Sequence, residues 1–470
     1  MTREEFKKIA NYIGDIIKDT PWYQHIYIVG GSVRDLCMGN DIKDIDLVID
    51  LPNGGVDFAN WCKDQGYTKT VVIYETYGTA AMKILNQDIE CVMTRGEKYL
   101  DDGTRNPTVE FADLKEDAFR RDLTINALYY NVSTGEILDL VGGQEDIKNH
   151  IIRTTNKNPD IVFDDDPLRI LRVIRFATRY GWEIESKTYK SMKKYAKRLK
   201  IITKERIQAE FNKILMSENA VMGINMLHDI GAMTFIVPEF EKCYGLTQNR
   251  FHFGDVAEHT LAVLDYHCKH FDADLTERLA CFLHDIGKTA TRTVKDGKVH
   301  FYDHEYVGAV MTGDILRELK YDNDTIKKVQ FLIRNHMRTK QAGDGAKYMK
   351  DKSLHKLLYE CKTFEMFKSL MRIIECDNEA HAKDCCIHNQ YSELVAKVEL
   401  EGSHSKMFGY KLPVTGEDIM NVLGLEPGPI IAEINKRLLN QAFLEPEISK
   451  ERCIKLLPGI KKQAEQVLKK

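Results

Sequence analysis

The sequence predicts an α+β protein in which a mixed sheet near the N-terminus is followed by helical domains. Segments of strand length cluster between residues 26 and 93. Beyond residue 164 most apolar positions recur at helical spacing. A chain of 470 residues is long enough for two to four domains, each with its own core.

Composition and charge narrow the class of protein. The chain is 43% apolar and 29% charged, as is ordinary for a globular protein, and its net charge of -4 excludes a polycation, so any nucleic-acid surface must be local. No apolar run approaches the roughly 20 residues of a membrane span, and the first residues are too polar for a signal peptide. The eleven cysteines are scattered without a Cys-x-x-Cys pair, which favours reduced thiols. We therefore expect a cytoplasmic protein that does not bind a membrane.

A pair of glycines follows the first predicted strand. An amphipathic helix is expected over residues 3 to 19, and the apolar run Ile26–Val29 then reads as a buried strand. Gly30 and Gly31, called here the glycine corner, allow backbone N–H groups to approach a triphosphate closely. Ser32 is expected to cap the helix that follows.

Two aspartates mark the second predicted strand. Asp44 and Asp46 are two residues apart, so their carboxylates should share one face, about 6 to 7 Å apart along the chain. Carboxylate pairs of this kind hold Mg²⁺ together with phosphate oxygens. Glu90 becomes a third ligand if its strand neighbours theirs; otherwise it is an exposed strand residue.

Three short strands and a polar loop complete the first domain. Strands are expected at residues 70–74, 80–85 and 88–93, with a tight turn at Asn86 and Gln87. The polar segment 95–108 is a candidate lid.

Three charged segments follow the predicted strands. Residues 120–128 begin with charged residues and continue as an apolar run. This pattern indicates either polar groups that project into a cleft or a salt-bridged helix end. Residues 164–176 are expected to form one helix with acids in its first turn and its arginines on one side. Residues 187–206 carry nine Lys or Arg against one acid, which is either a phosphate-binding strip or a solvated helix face.

Four motifs in this order resemble the class II tRNA nucleotidyltransferase family, which includes CCA-adding enzymes and bacterial poly(A) polymerases. The motifs are Gly30-Gly31-x-x-Arg34-Asp35, Asp44-x-Asp46, Arg120-Arg121-Asp122-x-Thr124-x-Asn126-Ala127 and Asp165-Asp166-x-x-Arg169. The resemblance covers roughly residues 20 to 240. It implies a polymerase-β-type nucleotidyltransferase head, followed by helical neck, body and tail domains that hold RNA.

The resemblance also implies roles for individual residues. Asp44 and Asp46 would hold the Mg²⁺ ions that position the RNA 3′-hydroxyl against the α-phosphate, with Glu90 as the third candidate catalytic carboxylate. The glycine corner and Arg34 would bind the triphosphate.

Nucleotide selection is implied to lie further along the chain. Asp122, with Arg121 and Asn126, would recognise the ribose. Asp166 and Arg169 would pair with the Watson–Crick edge of cytosine or adenine. Arg172 and Arg175 would extend to phosphate. Asp165 stands where the family commonly has Glu, which leaves the role of this shorter side chain open.

A second set of ligand-type residues lies between positions 259 and 377. His284 and Asp285 follow an apolar helical run, so both should emerge where a helix ends. His259, His304, His336 and Asp377 complete a set that resembles the HD superfamily of metal-dependent phosphohydrolases. The resemblance implies a site for one or two transition metals (Mn, Ni, Fe or Co) that activates water against a phosphate ester. His381, His388, Cys385 and Cys386 are interpreted as ordinary surface or core residues.

The sequence as a whole predicts four domains. They are a nucleotidyltransferase head at 1–150, a helical neck at 151–240, an HD domain at 241–400 and a tRNA-binding tail at 401–470. The tail includes Thr415, a candidate N-cap with Asp418 three residues on.

We expect an enzyme that builds or repairs the 3′-terminal CCA of tRNA from CTP and ATP, with an associated HD phosphohydrolase site. Poly(A) addition and CC-only or A-only addition share nearly all of these motifs and stay open. So does an HD phosphohydrolase or RNA-binding protein whose head is inactive. The oligomeric state is not predicted.

Overall fold

A computed structural model describes residues 1–74, 78–98, 108–248, 254–339, 349–381, 390–400 and 402–468. The chain divides into two compact units, Met1–Ile236 and Val237–Lys470. Within the described residues, no helix combines the length and apolar character that crossing a membrane requires.

The first unit contains a sheet with helices before, within and after it. Its strands are β1 (Ile26–Val29), β2 (Ile45–Ile49), β3 (Val71–Tyr74), β4 (Thr79–Ile84), β5 (Gln87–Met93), β6 (Arg95–Lys98), β7 (Thr108–Phe111), β8 (Leu128–Asn131), β9 (Ile137–Asp139), β10 (Ile151–Ile152) and β11 (Glu183–Ile184). Its helices are α1 (Arg3–Ile16), α2 (Gly31–Met38), α3 (Gly54–Asp64), α4 (Leu114–Arg120), α5 (Gly143–Asn149), α6 (Pro159–Asp165), α7 (Leu168–Tyr180), α8 (Ser186–Tyr195), α9 (Lys204–Leu215) and α10 (Ala220–Asp229).

The main sheet has seven strands in the order β3-β4-β5-β2-β1-β8-β9. Strand β2 runs parallel to β5 and antiparallel to β1, which makes the sheet mixed as the sequence predicts. One face packs against α1 and α3 through a core that includes Phe6, Ile13 and Phe58. The predicted α+β class is confirmed.

Three local expectations are wrong by a few residues. The β4–β5 turn is formed by Leu85 and Asn86, both with positive φ, because β5 already begins at Gln87. Ser32 does not cap α2: it lies inside the helix and donates to the Val29 carbonyl, and Gly30 occupies the N-cap position. Asp44 directly precedes β2 rather than lying within it.

The expected single helix over residues 164–176 is two helices. Helix α6 ends at Asp165, and α7 begins at Leu168. Asp166 has an extended backbone, with φ -140° and ψ 101°, because the ring of Pro167 disfavours a helical residue before it. Two of the acids therefore end one helix instead of opening the next.

The second unit is almost entirely helical. Its helices are α11 (Pro238–Glu241), α12 (Val256–His270), α13 (Leu275–Leu283), α14 (Lys288–Thr291), α15 (His304–Glu318), α16 (Asn323–Asn335), α17 (Asp351–Cys361), α18 (Phe364–Glu379), α19 (Gln390–Leu400), α20 (Gly402–Ser405), α21 (Gly416–Leu423), α22 (Pro429–Ala442) and α23 (Lys450–Leu468). A hairpin of β12 (Arg292–Lys295) and β13 (Lys298–Phe301) connects α14 to α15. The last three helices share a separate apolar core that includes Ile419, Ile434 and Leu457.

Two candidate metal centres

Two carboxylates lie side by side on adjacent strands of the first unit. Asp46 in β2 pairs in parallel register with Glu90 in β5, so their side chains leave the sheet on the same face. Both line a cavity of about 660 Å³, together with Asp44 and Arg95. The structure thus meets the condition under which Glu90 was expected to join the two aspartates. We call Asp44, Asp46 and Glu90 the carboxylate cluster.

Crowding of negative charge affects the protonation of this cluster. Partial desolvation, and then repulsion by Glu90 and Asp44, raise the pKa of Asp46 to about 6, and the cation of Arg121 opposes the rise. Like charges close enough to shift a pKa in this way are stabilised by a cation. The cluster is therefore suited to a divalent ion.

The glycine corner lies beside this cluster. Val29 at the end of β1 is the antiparallel partner of Asp46, so Gly30 comes one residue beyond that pair. Gly30 has φ +79°, a conformation that favours glycine, and α2 begins at the next residue. The backbone thus turns sharply from a strand into a helix N-terminus next to the carboxylates.

A buried ion-pair network holds Arg121 against the same corner. A Cβ on Gly30 would lie 3.9 Å from Nη1 of Arg121. The Arg121 guanidinium donates to Asp117 and to the Tyr129 hydroxyl, at 3.0 and 3.1 Å, while that hydroxyl donates to Asp117 at 2.7 Å. Burial would raise the pKa of Asp117, but Arg121 and Arg120 lower it to about 2. Asp117 is therefore ionised and fixes the position of Arg121.

A second network joins the ribose-recognition motif to α7. Arg34 donates to Asp35 and to Oδ1 of Asn126, at 2.9 and 2.6 Å. Asp122 accepts from Nδ2 of Asn126 at 3.3 Å and from Arg172 at 2.6 Å. Burial alone would raise the pKa of Asp122, but Arg172 lowers it. Arg34 is only 5% exposed, so its expected contact with a triphosphate stays a prediction.

The remaining predicted nucleotide-binding residues lie on or next to α7. Asp166 accepts from Arg206 at 2.7 Å, and buried Arg169 points Nη1 at the Val162 carbonyl at 3.5 Å. Arg175 donates to Glu210 at 3.2 Å. Asp165 is exposed at the end of α6. Asp166, Arg169 and Arg175 each contact a different neighbouring group of the chain, and their contacts with a nucleotide stay predictions.

The second unit contains a buried cluster of four histidines and two aspartates. Ligand atoms of His259, His284 and Asp377 lie within 4.8 Å of one another, and so do those of Asp285, His304 and His336. Asp285 links the two groups, with its oxygens 3.2 Å from Nε2 of His284 and 3.4 Å from that of His304. We call these six residues the HD cluster. Two groups of three ligands suit one or two metal ions.

Backbone carbonyls orient every imidazole in the HD cluster. Nδ1 of each ring lies 2.6 to 3.3 Å from a main-chain oxygen, which leaves Nε2 to face the centre. The carbonyls belong to Ala380 for His259, Cys281 for His284, Phe301 for His304 and Ile333 for His336. An outer hydrogen bond of this kind fixes the ring and the tautomer of a metal-binding histidine.

Burial keeps some of these imidazoles neutral. Desolvation lowers the pKa of His259, and desolvation together with the neighbouring His284 lowers that of His336 to about 3. Neutral imidazole is the form that binds a metal. Asp285 stays ionised, since Lys288 and His284 outweigh burial and hold its pKa well below the usual range.

Two supporting residues were not identified from the sequence. Asp117 precedes the Arg120-Arg121 pair by three and four residues, which is the helical spacing of an ion pair. Lys288 follows Asp285 by three residues, is buried and lies 2.6 Å from it. Lys288 also donates to Gln248. That spacing was the available signal in both cases. Of the histidines and cysteines near residue 385, His381 lies with its ring edge-on to that of His259, at 5.4 Å between ring centroids, and the others lie outside the described residues.

Family models match most of this architecture. Residues 26–153 match the poly A polymerase head domain, and residues 181–244 match the probable RNA and SrmB-binding site of polymerase A. Residues 256–364 match the HD domain. Asp377 lies beyond that last match, so its place in the HD cluster rests on the geometry above.

Relatives of known name extend over both units. The A-adding tRNA nucleotidyltransferase of Deinococcus radiodurans is 28% identical over 87% of this chain and 90% of its own length. The multifunctional CCA protein of Pseudomonas paraeruginosa is 33% identical over 64% of this chain and 71% of its own length. This chain belongs to the tRNA nucleotidyltransferase family of multifunctional CCA proteins. The resemblance inferred from the motifs is confirmed.

Solved structures of this family share the fold. The CCA-adding enzyme of Bacillus stearothermophilus, crystallised with CTP, superposes with a TM-score of 0.71 at 20% identity and covers 98% of both chains. A tRNA nucleotidyltransferase complexed with a primer tRNA and an incoming ATP analogue gives a TM-score of 0.55 at 22% identity, covering 83% of this chain and all of that one. The family fold therefore spans nearly the whole chain.

Proposed function

We propose that this protein adds nucleotides to the 3′ end of tRNA, completing or repairing its terminal CCA from CTP and ATP. The parallel register of Asp46 and Glu90, next to the glycine corner and open to a cavity, is the observation that carries the proposal. Three carboxylates beside a helix N-terminus suit a metal-bound triphosphate. Membership of the CCA protein family supports the same substrates.

The carboxylate cluster is proposed to hold Mg²⁺, which in such sites stabilises the attacking and leaving oxygens of phosphoryl transfer. The triphosphate binds at the glycine corner, where the N-terminus of α2 begins at Gly31, and Arg121, held by Asp117, contributes a fixed positive charge. Asp122 accepts a hydrogen bond from a ribose hydroxyl, and Asn126 donates one to the ribose. The reaction joins the RNA 3′-oxygen to the α-phosphorus and releases pyrophosphate.

Asp166 and Arg169 are proposed to select the base. An acceptor and a forked donor complement the Watson–Crick edges of cytosine and adenine, and they mismatch uracil and guanine. Since Asp166 accepts from Arg206 in this structure, base binding requires Asp166 to exchange that partner. Arg172 and Arg175, on the next turns of α7, are proposed to extend to phosphate; in this structure they donate to Asp122 and Glu210.

Incorporation of labelled nucleotides into truncated tRNA transcripts tests this function. Transcripts ending before the CCA, after the first C and after CC are incubated with CTP, ATP or both. CCA synthesis predicts that all three transcripts are completed to the same end. Incorporation of CTP but never of ATP identifies a CC-adding enzyme, and incorporation of ATP but never of CTP identifies an A-adding enzyme. Addition of adenosines without a defined stop identifies a poly(A) polymerase. Each of these three outcomes contradicts the proposal.

We propose a phosphohydrolase activity for the HD cluster. Six ligands converge there with every imidazole oriented, and Asp285 is ionised. The imidazole and carboxylate set suits Mn, Ni, Fe or Co, and such a metal supplies an activated water. Metal-dependent hydrolysis of a 2′,3′-cyclic nucleotide, absent in an Asp285→Asn variant, tests the proposal; hydrolysis that survives this substitution contradicts it.

The domain limits and the location of the protein are also proposed. We keep a head at 1–150, a neck at 151–240, an HD domain at 241–400 and a tail at 401–470. The cytoplasm is the compartment that suits an enzyme acting on tRNA with CTP and ATP. Limited proteolysis tests the limits, since cleavage is expected to concentrate near the proposed boundaries.

A further inference from the structure

A second polar cavity lies in the C-terminal unit, outside both metal centres. Its volume is about 820 Å³, within the range of small-ligand sites. Five of the residues that line it are cationic, among them Arg334, Arg338 and Lys411, and four are aromatic, among them Tyr306, Tyr359 and Tyr410. We call this space the basic cavity.

The charge of the basic cavity is strongly unbalanced. Glu360 is the sole carboxylate among the described residues that line it. That carboxylate accepts from Arg338 at 3.1 Å, and Lys356 lies 3.9 Å from it. Arg334 lies over the ring of Tyr306 at 4.9 Å. A surplus of positive charge around aromatic rings favours an anion that carries a planar ring.

The basic cavity adjoins the HD cluster through two helices. Helix α15 begins at the HD-cluster residue His304, and two residues later it contributes Tyr306 to the cavity. Helix α16 contributes Arg334 and Asn335 and ends directly before His336. The N-terminus of α15 and the C-terminus of α16 thus each place a histidine in the HD cluster and a cationic or aromatic side chain in the wall of the basic cavity.

From this arrangement we propose that the basic cavity binds a ribonucleotide, with its phosphate on the arginine and lysine side chains and its base against the tyrosines. Arg side chains recognise phosphate through paired charge-assisted hydrogen bonds, and bases stack on aromatic rings. The nucleotide is either free or the end of an RNA strand.

Photolabelling of the full-length protein tests the binding site. The probe is 8-azidoadenosine 5′-monophosphate, and labelled peptides are mapped by mass spectrometry. We expect label on peptides that contain Tyr306, Tyr359 or Tyr410. In the double variant Arg334→Ala, Lys411→Ala we expect about a tenfold loss, because two phosphate-binding cations are removed. Lys327→Ala, an exposed cation on α16 that does not line the cavity, is the control and should label like the native protein.

Competition identifies the source of the nucleotide. The competitors are AMP, a short RNA with a 3′-phosphate and the same RNA with a 3′-hydroxyl. Suppression of the label by AMP or by either RNA supports the proposal and tells which form binds. Label that none of them suppresses, that maps elsewhere or that persists in the double variant overturns it.

Discussion

The two candidate metal centres differ in how much of the coordination the protein itself supplies. The carboxylate cluster is three acids at the wall of an open cavity, whereas the HD cluster is six buried ligands whose imidazoles are all oriented by carbonyls. An Mg²⁺ site that relies on substrate phosphates needs only one or two protein carboxylates. A transition-metal site needs a complete and rigid set. We therefore propose that substrate phosphates complete the first centre, whereas the chain supplies most of the ligands of the second.

The largest expected effect is the loss of nucleotide incorporation on removing one acid of the carboxylate cluster. Asp46→Asn deletes a charge that a divalent ion requires, and several kcal/mol of transition-state stabilisation correspond to a decrease in kcat of about 1000-fold. Single-turnover incorporation of labelled CTP measures it. The exposed Asp64→Asn variant on α3 is the matched control. Full activity of Asp46→Asn would mean that the cluster is not catalytic.

Removing the shared ligand of the HD cluster should separate the two centres. Asp285→Asn leaves both groups of ligands without their common carboxylate, so we expect bound transition metal and phosphodiester hydrolysis to be lost. Nucleotide incorporation should stay within about twofold of native, because the incorporation chemistry lies in the other unit. Metal content by mass spectrometry and the two assays measure this, with exposed His270→Gln as control. A parallel loss of incorporation would refute the separation.

The ion-pair network under Arg121 should contribute stability that depends on pH. Since the pKa of Asp117 is lowered to about 2, its contribution is present above the ordinary value near 4 and is lost as the pH falls toward 2. That shift corresponds to about 2 kcal/mol. Urea unfolding at about pH 7 and pH 3 measures roughly half of it, because Asp117 of the folded protein is still mostly ionised at pH 3. Asp117→Asn should lower stability at pH 7 and reduce the dependence on pH; an unchanged pH dependence contradicts the assignment.

Much of the fold was predictable from the sequence because alternation and helical spacing are local signals. Strands β3 to β5 lie within one or two residues of their expected positions. The pairing of Asp46 with Glu90 was not predictable, since it depends on strand order, which brings β5 beside β2 without any local signal. The break between α6 and α7 at Asp166 was not predicted, although a proline at position 167 disfavours a helical residue before it.

In the candidate sites, the ligand residues were predictable from the sequence, whereas the residues that support them were not. The resemblance to the HD superfamily named all six residues that the structure brings together in the HD cluster, including Asp377, which lies far beyond His336 in the sequence. The supporting groups escaped notice because helical spacing shows that an ion pair can form but not that the pair is buried beside a site. Lys288, for example, reads as an ordinary surface lysine until its contact with Asp285 is seen.

The metal affinity of the carboxylate cluster should fall in mild acid. The raised pKa of Asp46, about 6, means that protons compete with metal as the pH falls below that value. We expect the apparent affinity for Mn²⁺ to fall about tenfold between pH 7 and pH 5, following the fraction of ionised carboxylate. Electron paramagnetic resonance of free Mn²⁺ measures it. An affinity that is constant over this range would contradict the assigned shift.

The smallest effect is expected from a helix cap remote from both centres. Thr415 caps α21 in a capping box with Asp418. Thr415→Ala should lower stability by about 1 kcal/mol and leave incorporation and hydrolysis unchanged. Thermal unfolding and the two assays measure this. A change in either activity would show that the tail influences a centre directly.

Anomalous diffraction from crystals soaked with Mn²⁺ and CTP tests the central claim most directly, because it locates the ions in both centres at once. We predict a peak within coordinating distance of Asp46, with Glu90 or Asp44 as its neighbour, and a second peak among the six residues of the HD cluster. A CTP-bound crystal in which no Mn²⁺ contacts Asp46 would contradict the account.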